Sequence, residues 1–192
     1  KETAQALLNL PNSEEAGILA YETGAVTQEE LMKSKGAVRS VRNFNPGNLK
    51  QLNIQWNDMR PTAETRKLGE ETFESFKTPR AGVVALAKDL ITKIRGLSKS
   101  RPGVPLDTMA KIIPVYAPKN ENNVEAYLKN IKNSFGIEAN QVLDWQNQEM
   151  LEKAVKSIIV SEAGSIALGF YERNGDISNA VAEAIKYNSG AK

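Results

Sequence analysis

The stretch VRNFNPGNLK, residues 41–50, combines a proline, a glycine and three asparagines. Pro46 fixes its own φ angle and keeps Asn45 out of helical geometry, and Gly47 then permits a left-handed turn. The amides of Asn45 and Asn48 either bond to the backbone of their own loop or reach outward to a polar ligand. On chemistry alone the stretch is an ordinary Asn-rich turn or a ligand-binding loop, and both interpretations stay open at this point.

The composition limits the chemistry available to the chain. Its 192 residues include no Cys and no His, which excludes disulfides, thiolate or imidazole metal sites and triads built on those residues. Acid–base chemistry therefore falls to carboxylates, Lys or Tyr, which among hydrolytic reactions favours glycosidic cleavage. The formal net charge of +2 provides no strong attraction for nucleic acid, and no apolar run approaches the roughly 18 residues of a membrane span. We expect no cofactor, no metal, no nucleic-acid partner and no membrane span.

Hydrophobic periodicity predicts a mostly helical chain. Residues 1–36 are predicted to form a helical N-terminal extension, and residues 37–192 the main domain. A long central helix follows the capping residue Thr78, and another runs from about residue 147 to 161. The alternation at residues 73–76 predicts a small β-hairpin. The predicted fold class is α+β, predominantly α-helical.

One carboxylate lies at the end of an apolar stripe. The stripe on the second long helix consists of Leu151, Ala154, Val155, Ile158 and Ile159. Glu162 comes three residues after Ile159 and so continues the same face. Partial burial and the negative end of the helix dipole would both raise its pKa, as a general acid near neutral pH requires. The alternative is a solvated Glu at a frayed helix end.

Several segments of the sequence resemble one family in order. RNFNPGNLK at 42–50 resembles the RNNNPGNIR signature of phage and prophage virion proteins that are thought to be lysozyme-like, peptidoglycan-degrading enzymes. The later matches are FESFKTPRAG at 73–82, IIPVYAP at 112–118, ENN at 121–123 with Tyr127, and IIVSEAG at 158–164. The resemblance covers about residues 38–185 and leaves residues 1–36 outside.

The chain also departs from the family pattern. Phe44 replaces Asn, Tyr116 replaces Trp, Ser161 replaces His and Ala163 replaces Asn, and the loop after Gly164 is expected to be longer. These changes affect the detail of glycan binding more than the fold.

The resemblance implies a lysozyme-like fold with its catalytic Glu near the carboxyl end, an order that a circular permutation of the lysozyme arrangement would produce. It implies an enzyme that cleaves the β-1,4 bond between MurNAc and GlcNAc, with peptidoglycan strands and other virion proteins as partners. Such an enzyme resides in the phage virion, as a tail or internal protein, and acts in the bacterial cell wall and periplasm during genome delivery. A lytic transglycosylase with a single Glu as acid and base would form a 1,6-anhydro sugar; attack by water would make the protein a lysozyme.

Two candidates compete for the catalytic role. Glu162 is the first, and Glu22 is the alternative, because YETG at 21–24 resembles the LESG of bacterial glucosaminidases. The expected substrate-binding residues are Asn45, Asn48, Tyr116, Glu121, Asn122 and Tyr127. Tyr116 is alternatively a core aromatic, and Glu121 a solvated loop residue. The alternative from a different functional class is a non-catalytic structural or cell-wall-binding virion module on the same scaffold.

Overall fold

The computed structural model describes residues 13–117 and 123–190, and this part of the chain is predominantly α-helical. Its ten helices are α1 (Ser13–Glu22), α2 (Gln28–Ser34), α3 (Arg39–Arg42), α4 (Thr62–Lys67), α5 (Pro79–Ile94), α6 (Met109–Tyr116), α7 (Val124–Phe135), α8 (Gln148–Ala163), α9 (Ser165–Asn174) and α10 (Ile177–Asn188). The predicted helical content is confirmed.

Helix α5 is the centre of the fold and begins as its sequence predicts. The Thr78 hydroxyl accepts a hydrogen bond from the Ala81 N–H, and Pro79 occupies the first helical position. Eleven of its sixteen residues are buried, including Leu86, Leu90 and Ile91. The helix packs against α8, α9 and α10, so it anchors the elements that carry the candidate site.

The loop at residues 43–48 lies directly on the first turns of α5. A Cβ atom added to Gly82 would lie 1.8 Å from the main-chain oxygen of Phe44. One added to Gly47 would lie 2.7 Å from Cδ1 of Leu86. A side chain at either position would clash with its neighbour, so glycine lets the Asn-rich loop lie directly against the central helix.

The predicted β-hairpin is wrong. The described residues contain no β-strand and only two isolated antiparallel bridges, Lys50 with Phe73 and Met59 with Phe76. The reason is that residues 72–77 divide their backbone hydrogen bonds among several segments. Glu74 N–H donates to Leu49 O at 2.8 Å, whereas Phe76 N–H donates to Asn43 O at 2.9 Å. No single neighbour pairs with this segment far enough to form a ladder, so the β part of the α+β class does not hold in the described chain.

The longer loop predicted after Gly164 is also wrong, because this segment is helix α9. Gly164 has φ 90° and separates α8 from α9. The periodic residues Ala167, Phe170 and Tyr171 are buried, and they are the signal that sequence reasoning overlooked.

Aromatic packing connects the Asn-rich loop to two other elements. Phe44 stacks on Phe170 of α9 with ring centroids 6.2 Å apart, and Tyr21 of α1 lies 5.2 Å from Phe44. The Tyr171 hydroxyl donates to the main-chain oxygen of Ser40. The substitution of Phe44 for the family's Asn thus places a ring in the core.

Residues 13–36 contact the rest of the described chain extensively. Gln28 of α2 is buried, and its amide donates to Phe76 O at 2.9 Å and Arg42 O at 3.1 Å. Arg60 in turn donates to Gln28 Oε1 at 2.7 Å. Ile18 of α1 belongs to the main core. The division of the chain at residue 36 stays a prediction.

Candidate active site

Two of the predicted site residues, 114 positions apart, meet in the structure. Asn48 Nδ2 donates a hydrogen bond of 2.8 Å to Oε1 of Glu162. Asn48 is half-buried at the end of the Asn-rich loop, and Glu162 is half-buried as the penultimate residue of α8. The loop and the carboxyl end of α8 therefore form one site.

Helix α8 presents Glu162 as the spacing of its apolar residues predicts. Its N-cap is Asn147, whose side chain accepts from Met150 N–H at 3.0 Å. The stripe residues Leu151, Ala154, Val155, Ile158 and Ile159 are all buried. Gly164 then turns the chain away with its positive φ, so Glu162 stays at the edge of the core. The raised pKa expected for Glu162 stays a prediction.

The two loop asparagines have different tasks. Asn45 is fully buried; its amide donates at 3.0 Å to Leu49 O and to Glu74 O, and its Oδ1 accepts from Leu49 N–H at 2.9 Å. Asn45 therefore builds the loop and has no surface for a sugar. Asn48 adopts φ 46°, a left-handed geometry that Asn tolerates, and so directs its amide at Glu162. Its Oδ1 is buried and has no hydrogen-bond partner.

Glu22 lies in an ion pair at the end of α1. Its carboxylate accepts two hydrogen bonds of 2.9 Å from the Arg173 guanidinium and one of 2.8 Å from Asn174 Nδ2. The hydrogen bond from Arg173 is the largest cause of a lowered pKa for Glu22, and desolvation opposes it only in part. A carboxylate held in its charged form by a guanidinium is poorly suited to donate a proton near neutral pH.

Tyr116 is buried rather than exposed for sugar stacking. Its hydroxyl donates to Oδ2 of Asp89, which also accepts from Lys93 Nζ. Burial, and then the Asp89 carboxylate, hold the pKa of Tyr116 well above its ordinary value, so the phenol stays neutral. The packing favours the core-aromatic alternative for its ring.

The remaining candidates are Tyr127, Glu121 and Asn122. Tyr127 is half-buried on α7, where it packs against the main core. Glu121 and Asn122 lie outside the described residues.

Comparison with known proteins identifies a relative from a bacteriophage. No family model matches the chain. The chain is 33% identical to Protein P5 of Pseudoalteromonas phage PM2 over 132 residues, which is 67% of this chain and 73% of that protein. The chain belongs to the P5 family. The phage affiliation implied by the sequence signature is thus confirmed, whereas a lysozyme-like fold and an enzymatic activity stay predictions for this member of the P5 family.

One unusual carboxyl of this P5-family chain was missed in the sequence. Glu74 is 2% exposed, and its Oε2 is buried without a hydrogen-bond partner. Desolvation raises its pKa to about 7, against a smaller opposing effect of Arg66. The sequence signal was an acidic residue between two aromatic residues, Phe73 and Phe76. Its backbone borders the Asn-rich loop, because Asn45 Nδ2 donates to its carbonyl.

None of the helices within residues 13–117 and 123–190 has the length and apolarity needed to cross a bilayer. The same ranges contain no group of three or more His, Cys, Asp or Glu side chains that could hold a metal ion.

Proposed function

We propose that this protein is a phage virion-associated enzyme with a lysozyme-like scaffold, which cleaves the β-1,4 bond between MurNAc and GlcNAc in peptidoglycan. The observation that carries the proposal is the hydrogen bond between Asn48 and Glu162. It joins the carboxylate and the Asn-rich signature, which the family resemblance singled out separately.

In this proposal Glu162 is the general acid and then the general base. Its proton goes to the glycosidic oxygen as the bond from that oxygen to C1 of MurNAc breaks. The resulting carboxylate then takes the proton of the MurNAc 6-hydroxyl as that oxygen bonds to C1, which forms a 1,6-anhydro sugar and restores the acid. A single carboxyl suffices when the substrate's N-acetyl group assists, a recognised exception to the two-carboxylate arrangement.

Asn48 would orient the carboxyl in this mechanism. Its amide donates to Oε1, and its left-handed backbone holds the side chain in that direction. Because a fixed donor restricts the rotation of the acid, the proton-bearing oxygen is presented in one geometry. The partner of Glu162 in this arrangement is the neutral amide of Asn48, whereas the partner of Glu22 is the charged guanidinium of Arg173.

The test is muropeptide release from purified peptidoglycan sacculi, analysed by mass spectrometry. Glu162→Gln preserves an acceptor for Asn48 and removes only the titratable proton, and Glu22→Gln is the matched control. We expect anhydromuropeptides from the wild type and from Glu22→Gln, and a loss of at least about 100-fold in Glu162→Gln.

The other outcomes are equally informative. Loss only in Glu22→Gln would transfer the catalytic role to α1. Products without an anhydro ring would make the enzyme a lysozyme. A folded wild type that binds sacculi but releases nothing would be a structural or cell-wall-binding virion module. Mass spectrometry of purified particles tests the association with the virion.

A further inference from the structure

A second polar cluster links the central helix α5 to the carboxyl end of α6. It consists of Asp89 and Lys93 on α5 and Tyr116 at the end of α6. Oδ2 of Asp89 accepts hydrogen bonds from both the Tyr116 hydroxyl and Lys93 Nζ, and the Lys93 ammonium lies 5.0 Å from the centroid of the Tyr116 ring. The carboxylate is thus fixed by two donors on the same oxygen.

The other oxygen of this carboxylate is available to a ligand. Oδ1 of Asp89 makes no hydrogen bond in the described part of the chain. It also differs from the fully buried, unpartnered polar atoms of that part of the chain in being accessible. Since the Asp89 side chain is 16% exposed, this oxygen reaches solvent. A carboxylate with one oxygen immobilised and the other open is a prearranged acceptor for a hydroxyl or an amide N–H.

Helix geometry places Asp89 next to the loop that holds Glu162. Asp89 follows Leu86 by three residues, so the two share a face of α5. Leu86 is the side chain against which Gly47 packs, and Asn48 comes directly after Gly47. Asp89 therefore lies about one turn, roughly 4.5 Å of helix rise, beyond the loop.

The directions of α6 and α8 agree with this placement. Both helices begin beside the same connecting segment, since Ala110 N–H donates to Ala139 O at 2.9 Å, Leu143 N–H donates to Asp107 O at 2.8 Å, and α8 starts at Gln148. The two helices contact each other. Both helices therefore lead away from this segment, with Tyr116 the last residue of α6 and Glu162 the penultimate residue of α8.

We propose that Asp89 binds the glycan, accepting a hydrogen bond at Oδ1 from a hydroxyl or the acetamido N–H of an amino sugar beside the cleaved bond. Tyr116 and Lys93 are positioning residues that hold the carboxylate in place. The inference rests on the proposed function and extends the substrate site from the end of α8 to the middle of α5. It also gives Tyr116 a role through its hydroxyl, although its ring is buried.

The test measures the affinity of chitohexaose, a hexamer of GlcNAc, by isothermal titration calorimetry in a Glu162→Gln background, where cleavage is blocked. Asp89→Asn is compared with Asp107→Asn, because Asp107 also pairs with a lysine four residues later but lies at the start of α6. We expect Asp89→Asn to weaken binding by about 10- to 100-fold, the range for a hydrogen bond to a charged group, and Asp107→Asn to change it less than twofold.

A milder variant separates binding from folding. Tyr116→Phe keeps the ring and the carboxylate, so it should weaken binding less than Asp89→Asn, raise KM on sacculi and leave kcat within about threefold. Equal affinity of the Asp89 and Asp107 variants, or no binding of the hexamer by the parent protein, would overturn the inference. The proposed function is tested separately, because muropeptide release by the wild type is measured without any change at Asp89 or Tyr116.

Discussion

Glu74 gives the sharpest test of the energetics, because its carboxyl is buried beside the Asn-rich loop without a compensating partner. Its main chain is fixed by Leu49 and Asn45, so the side chain cannot leave the interior without disturbing the loop. The nearby Arg66 is already engaged, donating to Gln51 Oε1 at 3.0 Å. We predict that Glu74→Gln stabilises the protein above neutral pH.

The magnitude follows from the two protonation equilibria. Below the ordinary pKa of 4.5 the carboxyl is protonated in the folded and unfolded states, and ionisation then costs nothing. Above the folded-state pKa of about 7 it is charged in both, and the folded state bears the whole penalty. At roughly 1.36 kcal/mol per pKa unit the full penalty is about 3 kcal/mol, and screening by nearby solvent reduces the expected value to about 1–2 kcal/mol.

The assay is thermal and urea unfolding of wild type and Glu74→Gln from pH 4.5 to 8.5. The free energies of unfolding should agree at pH 4.5 and diverge through pH 7, with the variant higher by about 1–2 kcal/mol, or roughly 4 °C in Tm. Glu71→Gln, an exposed change in the same segment, should show no such divergence. A difference between wild type and Glu74→Gln that does not vary with pH would refute the burial argument.

Two other predictions concern packing and an ion pair. Gly82→Ala should destabilise the protein by about 3 kcal/mol in urea unfolding, because the new methyl group meets the backbone of Phe44. Gly169→Ala should cost nothing, since its new Cβ meets only the flexible end of Arg173, at 3.1 Å. Equal effects of the two would contradict the close approach. Glu22→Gln should cost less than about 1 kcal/mol at pH 7, because Arg173 is largely exposed. Since the pKa of Glu22 is lowered in the folded protein, this difference should shrink as the pH falls below the ordinary value and vanish once the folded-state carboxyl is protonated. A difference that does not shrink on acidification would argue against the ion pair.

Local chemistry explains what the sequence determined correctly. The caps at Thr78 and Asn147 and the glycine after α8 act within one helical turn, so their effects are readable from neighbouring residues. The apolar stripe leading to Glu162 has the same origin, because residues three and four apart share a helix face. The loop could be recognised from Pro46, which fixes its own φ angle. The left-handed turn predicted at Gly47 was wrong, because the positive φ falls on Asn48, at 46°.

Tertiary structure decided which polar groups are paired, and with what. No spacing rule indicates that Asn48 would meet Glu162, that Arg173 would hold Glu22, or that Asp89 would bind the Tyr116 hydroxyl. The missing hairpin has the same cause: residues 72–77 distribute their hydrogen bonds over segments that only the folded chain brings near. Short-range periodicity in the sequence therefore determined the helices of this protein. Its candidate site depends instead on contacts between residues far apart in the chain. The reason is that the charge state and orientation of a buried side chain are set by the partners that helix packing places beside it.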